Sequence, residues 1–213
     1  MRTTHLALAT ASALALAASP ARAAVVFDTL SGHWESEATL SESLWVAQAF
    51  GSGLNNLLTG IKLNLYGGSG TFGVELWDID SQNKPGSLIT TIGNFSSPTT
   101  PSQNNVVNIS GLNVSINPNS TYYVVVKATS AGGSVNWGST TSSDQNVSGS
   151  PMYSVVYNGG SWGDVDEENP QRMMVEAVPE ASTWLAGAFA GLIILGGVAR
   201  RKLLHRRVSG AAS

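Results

Sequence analysis

Cysteine is absent from all 213 residues. That excludes a disulfide framework, a thiolate metal centre and a cysteine nucleophile, and it leaves the chain to be held by its core alone. Charge is sparse as well, at 12% of residues. Positive charge is scarcest where most of the chain lies: only Lys62, Lys84, Lys127 and Arg172 stand between residues 24 and 176, against 13 of the 14 acids. The net charge of that window is −9. Such an acidic surface repels nucleic acid, so no nucleic-acid partner is expected. Histidine is nearly missing too. His33 is the one histidine of the central window, because His5 and His205 fall near the two ends. One histidine cannot build the usual zinc site. A Ser-His-Asp triad through His33 lacks a G-x-S-x-G elbow to support it, and His33 reads as an exposed loop residue.

What is present begins with two apolar segments. Residues 1–23 read as a secretory signal peptide: Arg2 supplies the positive start, residues 6–18 an Ala/Leu run, and Ala21-Arg22-Ala23 a small-x-small site for signal peptidase. The mature chain is then expected to begin at Ala24. Near the other end, residues 181–199 carry no charge and are small or apolar. At ~1.5 Å per residue a helix of this length covers roughly 28 Å, close to the ~30 Å hydrocarbon core, so one C-terminal transmembrane helix is expected. Arg200, Arg201, Lys202, Arg206 and Arg207 follow it and should stay cytoplasmic, which places the preceding chain outside. Gly187 and Gly191 form a G-x-x-x-G within the run, a spacing compatible with close helix approach but common in such spans anyway.

Residues 178–207 resemble the PEP-CTERM sorting signal of Gram-negative bacteria. Val178, Pro179, Glu180, Ser182, Thr183 and Trp184 match the motif, with Ala181 where a second proline usually stands; the apolar helix and the basic end follow in order. The resemblance implies an exosortase as partner, cleavage near Pro179-Glu180, and a route from the inner membrane to the cell surface or an exopolysaccharide matrix. An ordinary unprocessed single-pass anchor is the simpler alternative.

Residues 24–177 are expected to form an all-β ectodomain, a two-sheet jelly-roll-like sandwich of about ten strands. Short apolar runs alternate with Gly, Ser, Thr and Asn turns, and no stretch keeps a long helical period. Strands are predicted at 25–27, 44–50, 57–66, 71–78, 88–92, 106–109, 112–116, 121–128, 135–137, 152–157 and 172–177. In 57–66, Ile61, Leu63 and Leu65 share one face; in 71–78, Phe72, Val74 and Leu76 do. These two runs read as a hairpin across Gly67-Gly68-Ser69-Gly70. Residues 121–128, nearly all apolar, read as a central strand buried on both faces. Residues 31–43 and 93–105 are polar and read as loops, the first with a short helical turn at 40–43.

Three pieces of this region resemble the exported β-sandwich domains called choice-of-anchor, of the R type: Ala47-Gln48-Ala49-Phe50; Leu76-Trp77-Asp78 running to Pro85-Gly86-Ser87-Leu88; and Tyr122-Tyr123-Val124-Val125 after a Pro-Asn turn. The resemblance implies a sandwich upstream of an anchoring tail and carries no catalytic residues.

The chemistry candidates are few. Asp78-x-Asp80-x-Gln82 places oxygen ligands at alternate positions, and Asp164, Asp166, Glu167 and Glu168 form a second acidic loop. Each is a candidate for a structural calcium ion, although neither has the glycine and glutamate of an EF-hand; charged surface turns are the plainer account. No other cofactor is expected. Two carboxylates among Glu35, Glu37, Glu75, Asp78, Asp80, Asp164 and Asp166 could hydrolyse a glycosidic bond if they faced one cleft. Trp34, Trp45, Trp77, Trp137 and Trp162 could stack on sugar if exposed together, with Trp137 and Trp162 placed in loops by their glycine neighbours; core filling is the plainer account. Five Asn-x-Ser/Thr triplets, at Asn94, Asn108, Asn113, Asn119 and Asn146, carry little weight in a bacterium. The reading is a non-enzymatic structural or adhesive surface protein, with exopolysaccharide as a candidate partner. A secreted carbohydrate-binding or glycoside-hydrolysing protein is the alternative.

Overall fold

A computed structural model describes residues 23–179. The leader up to residue 22, the motif residues Glu180, Ser182, Thr183 and Trp184, the expected membrane helix and the basic cluster lie outside the described residues. Within them no helix is long and apolar enough to cross a membrane.

The described chain is all β: β1 (Ala24–Asp28), β2 (Ser36–Leu40), β3 (Leu44–Gly51), β4 (Leu57–Leu63), β5 (Leu65–Ser69), β6 (Thr71–Ile79), β7 (Pro85–Ser96), β8 (Val107–Ser115), β9 (Thr121–Ala128), β10 (Ser134–Ser139), β11 (Ser154–Asn158) and β12 (Met173–Val178). They form three sheets, ordered β1-β12-β4-β8, β2-β10-β5 and β11-β3-β9-β6-β7, with every named pairing antiparallel. The two smaller sheets meet where β4 runs into β5 through Asn64. There, the Asn64 N–H donates to Arg172 O (3.0 Å), the Arg172 N–H to Gly138 O (2.7 Å) and the Gly138 N–H to Asn64 O (3.1 Å). One core lies between these sheets and the five-stranded one. Phe27, Leu40, Leu58, Ile61, Leu63, Leu65, Trp137, Met173 and Val175 fill it from one side; Val46, Phe50, Phe72, Val74, Leu76, Val124 and Val126 fill it from the other. Each fully buried side chain of this kind contributes about 1.5–3 kcal/mol.

Alternation placed the core faces of 57–66 and 71–78 correctly, and β9 is central between β3 and β6, buried on both faces. Strand pairing departs from expectation. The 57–66 run is two strands, because Asn64 is buried and its side chain donates to Gln103 O (2.7 Å) and Asn105 O (2.8 Å). These bonds turn the chain from one sheet into the next. The expected hairpin with 71–78 does not form: Gly67 to Ser69 belong to β5, which pairs with β10, while β6 pairs with β7 and β9. Gly70, at φ 74°, makes the crossing between layers. Residues 36–40, expected as loop, form β2. Only Leu40 of this edge strand is fully buried, so its sequence shows little alternation. The two short strands at 106–109 and 112–116 are one, β8, interrupted by a bulge at Gly111 (φ 72°). β7 extends to Ser96, into the segment read as loop. The two-sheet count therefore becomes three sheets.

Candidate functional site

The outer face of the five-stranded sheet gathers three of the five tryptophans among the described residues. Trp45 on β3 faces Tyr157 across β11, and their rings stack at 4.5 Å and 23°. On the other side Val46 pairs with Val126, which puts Lys127 of β9 beside Trp45; its Nζ lies 4.4 Å from the ring centroid. Lys127 also bridges to Glu75 Oε1 at 2.7 Å, and Trp77 Nε1 donates to Glu75 Oε2 at 3.0 Å. Trp162 stands edge-on to Tyr157, Trp77 and Trp45, at 5.3, 6.2 and 6.4 Å. This is a cross-strand ladder of aromatic and charged neighbours. Trp45 has one face against Tyr157 and the other against Lys127, so neither is free to stack on sugar. Both Glu75 oxygens are engaged, so this carboxylate is not free to act as a general acid or base here.

The remaining tryptophans are elsewhere. Trp137 is not in a loop: it lies in β10, 0% exposed, with Nε1 donating to Arg172 O at 3.1 Å. The glycine after it is a strand residue beside Asn64, not a turn. Trp34 donates to the Tyr66 hydroxyl (3.0 Å), which donates to Glu37. Burial, then the Glu37 hydrogen bond, push the Tyr66 phenol up to about 12.

The calcium candidates act as turn caps. Asp80 Oδ1 accepts the N–H groups of Gln82 and Lys84, each at 2.8 Å, and Asp78 Oδ1 accepts that of Ser87, which closes the β6–β7 hairpin. Asp166 Oδ1 accepts from Glu168 (2.8 Å) and Asn169 (3.0 Å). Asp164 and Asp166 line a groove of about 250 Å³ shared with Glu37. Among the described residues no group of three or more His, Asp or Glu could hold a metal ion.

His33 is exposed, as read, at 78% of its side chain, but it has a partner. Asp144 Oδ2 accepts both its backbone N–H (2.7 Å) and a bond with Nδ1 (2.8 Å). The backbone N–H groups of His33 and Asn146, and then the imidazole, hold the Asp144 carboxyl far below the usual carboxylate range. This is the orienting half of a triad. Among the described residues no hydrogen bond reaches Nε2.

Arg172 was missed by sequence reasoning. It is 9% exposed, and its Nη2 donates to Leu30 O (2.8 Å) and its Nη1 to Asn64 Oδ1 (3.2 Å), with a longer contact to Gln103 O (3.5 Å). Burial lowers its pKa. Its one sequence signal was its place, a lone cation immediately before an apolar strand.

The two ends of the domain meet. Ala24 pairs with Ala177, Val178 pairs with Leu57, and the Asn56 N–H donates to Val178 O at 3.1 Å. Val178, expected as the first residue of the tail, is thus the last residue of β12.

Together these features define an all-β sandwich carrying a sheet-face aromatic ladder. No family model and no curated protein matches the chain. Solved structures do share its fold. One holds the cysteine protease and lectin-like domains of Cwp84, a surface layer associated protein of Clostridium difficile, with TM-score 0.50 and 10% identity over 68% of this chain. Another, of Clostridial cysteine protease Cwp84 after propeptide cleavage, gives TM-score 0.50 and 12% identity over 68% of this chain. The match spans little more than a third, 36% and 38%, of those chains.

Proposed function

We propose that this chain is an exported structural or adhesive protein without catalysis, a jelly-roll-like β-sandwich delivered by its leader and held or sorted by a PEP-CTERM-like tail. In this reading signal peptidase cuts before Ala24. The apolar helix then holds the precursor in the inner membrane of a Gram-negative bacterium, and exosortase processes it to the cell surface or matrix. The observation that supports this most is the fit of the folded unit to the interval between the two signals. That unit runs from Ala23 to Val178, so its first strand starts at the expected mature terminus and its last ends at the motif's first residue. Removal of both ends would leave every β-pairing intact.

Intact mass of the mature protein tests both cuts at once. The expected mass is that of a chain beginning at Ala24 and lacking the segment after the Pro179-Glu180 region. In cells, Pro179→Ala with Glu180→Ala should hold the precursor in the inner membrane. A full-length, leader-bearing chain in the cytosol refutes the reading.

A second reading is a carbohydrate-binding or glycoside-hydrolysing protein; the aromatic cluster supports it only through Trp77 and Trp162, because both faces of Trp45 are covered. Polysaccharide turnover abolished by one carboxylate substitution would establish it.

A further inference from the structure

At the end of the domain where Val178 leaves β12, a groove of about 610 Å³ opens between the β6–β7 hairpin and the turn joining β8 to β9. Asp78, Ile79 and Ile89 line one side; Ser115, Ile116, Asn117 and residues 119–122 line the other. The volume falls in the range of small-molecule sites, and the groove is partly open to solvent. Its walls are fixed. Ser52, fully buried, donates from Oγ to Asn117 O (2.7 Å) and accepts the Ser120 N–H (3.0 Å), while the Asn117 N–H donates to the Tyr122 hydroxyl (2.6 Å). Tyr122 is in turn paired with Asp78 across β9 and β6. A ligand would meet a pre-organised surface.

The chemistry of the lining is specific. The side-chain amides of Asn117 and Asn119 and the hydroxyls of Ser115 and Thr121 have no hydrogen-bond partner among the described residues, and each both donates and accepts. Asp78 commits Oδ1 to Ser87 and leaves Oδ2 as an acceptor. Ile79 and the 42%-exposed Ile89 add apolar surface between these groups, while Ile116 below them is 5% exposed and belongs mostly to the core. No lysine or arginine lines the groove. Nearby Lys84 turns away, with Nζ toward Trp162 O.

We propose that this groove binds a segment of neutral polysaccharide. Vicinal hydroxyls are matched by groups that donate and accept together, and the C–H faces of the rings are matched by the isoleucines. The absence of a cation, with −9 on the ectodomain, works against phosphate, sulfate and uronate. An extended peptide is disfavoured because β7 carries register shifts opposite Val74/Glu75, Leu76/Trp77 and Trp77/Ile79, which break the regular edge a peptide strand would extend. The proposal rests on the matrix reading above, with polysaccharide as partner, and places the contact in this groove and not on the aromatic face.

The test uses the full chain in detergent, titrated by calorimetry with dextran and a cello-oligosaccharide as neutral probes and alginate as the anionic one. Asn117→Ala with Thr121→Val removes two ligand groups while leaving the Ser52 and Tyr122 contacts in place, and thermal unfolding checks that the fold is kept. The expected result is saturable binding of at least one neutral probe, weakened tenfold or more in the double variant and unchanged in Trp162→Ala. Binding of alginate alone, no binding of either neutral probe, or loss in Trp162→Ala with none in the double variant overturns the proposal. A chain that is sorted to the surface but binds no neutral probe sinks this inference and leaves the sorting reading standing; a cytosolic chain sinks the sorting reading whatever the titration shows.

Discussion

Replacing Arg172 by methionine tests the account of how the two smaller sheets are joined. The guanidinium is nearly buried, and among the described residues no carboxylate lies within salt-bridge distance of it. Two opposed effects decide the outcome. Methionine removes a desolvated charge, and relief of that kind can be worth a few kcal/mol. It also deletes charge-assisted hydrogen bonds to Leu30 O and Asn64 Oδ1, at about 1.5–3 kcal/mol each, and leaves those acceptors facing an apolar stem. The buried Nε has no partner among the described residues, which adds to that gain, but the two Nη bonds that methionine cannot replace outweigh it. A net loss of roughly 2–4 kcal/mol is expected, which for a domain of this size lowers Tm by roughly 5–15 °C. Thermal unfolding followed by circular dichroism reads the total. Hydrogen exchange reads the location: amides at 29–33 and 100–105 should exchange faster, while β9 should follow only the global change. A variant as stable as the parent, or one loosened evenly throughout, would refute the reasoning, because Arg172 would then be a tolerated charge and not the clasp of the sheet junction.

Two further perturbations probe the same region. Trp137→Ala removes a fully buried ring and its bond to Arg172 O, and should cost about 3–5 kcal/mol by chemical denaturation; a cost under 1 kcal/mol would mean the ring is not core. Tyr66 has a folded-state pKa raised to about 12 from an ordinary value of 10.0, so it stabilises the fold fully below pH 10, and that contribution fades as pH rises through about 12. Tyr66→Phe should therefore flatten the alkaline limb of the stability profile above pH 10, and an unchanged limb would show that another group governs it.

Much of this protein was legible one residue at a time. Side chains alternate strictly along a strand, so Ile61, Leu63 and Leu65, or Phe72, Val74 and Leu76, announce a buried face without any knowledge of the partner. The unbroken apolar run of β9 announced a strand covered on both sides. Local order did not reveal which strands pair. By alternation Asn64 falls on the face opposite Ile61, Leu63 and Leu65, yet it is buried, and that burial depends on carbonyls some forty residues away. Trp137 looked like a loop residue because glycine follows it, yet that glycine accepts the Arg172 N–H at the sheet junction. Asp78 and Asp80 read as ion ligands, whereas their oxygens accept from backbone N–H groups that only the closed hairpin brings near.

The sequence by itself determined the class: an acidic, cysteine-free β domain between two apolar segments, with its inward faces marked. Only the tertiary structure decided the three-sheet pairing, the clasp at Arg172, the occupied faces of Trp45, and the groove assembled from β6, β7 and the β8–β9 turn. The physical reason is range. Periodicity and turn preference act between neighbours along the chain, whereas pairing and burial of polar groups are settled by contacts between segments that the sequence keeps far apart.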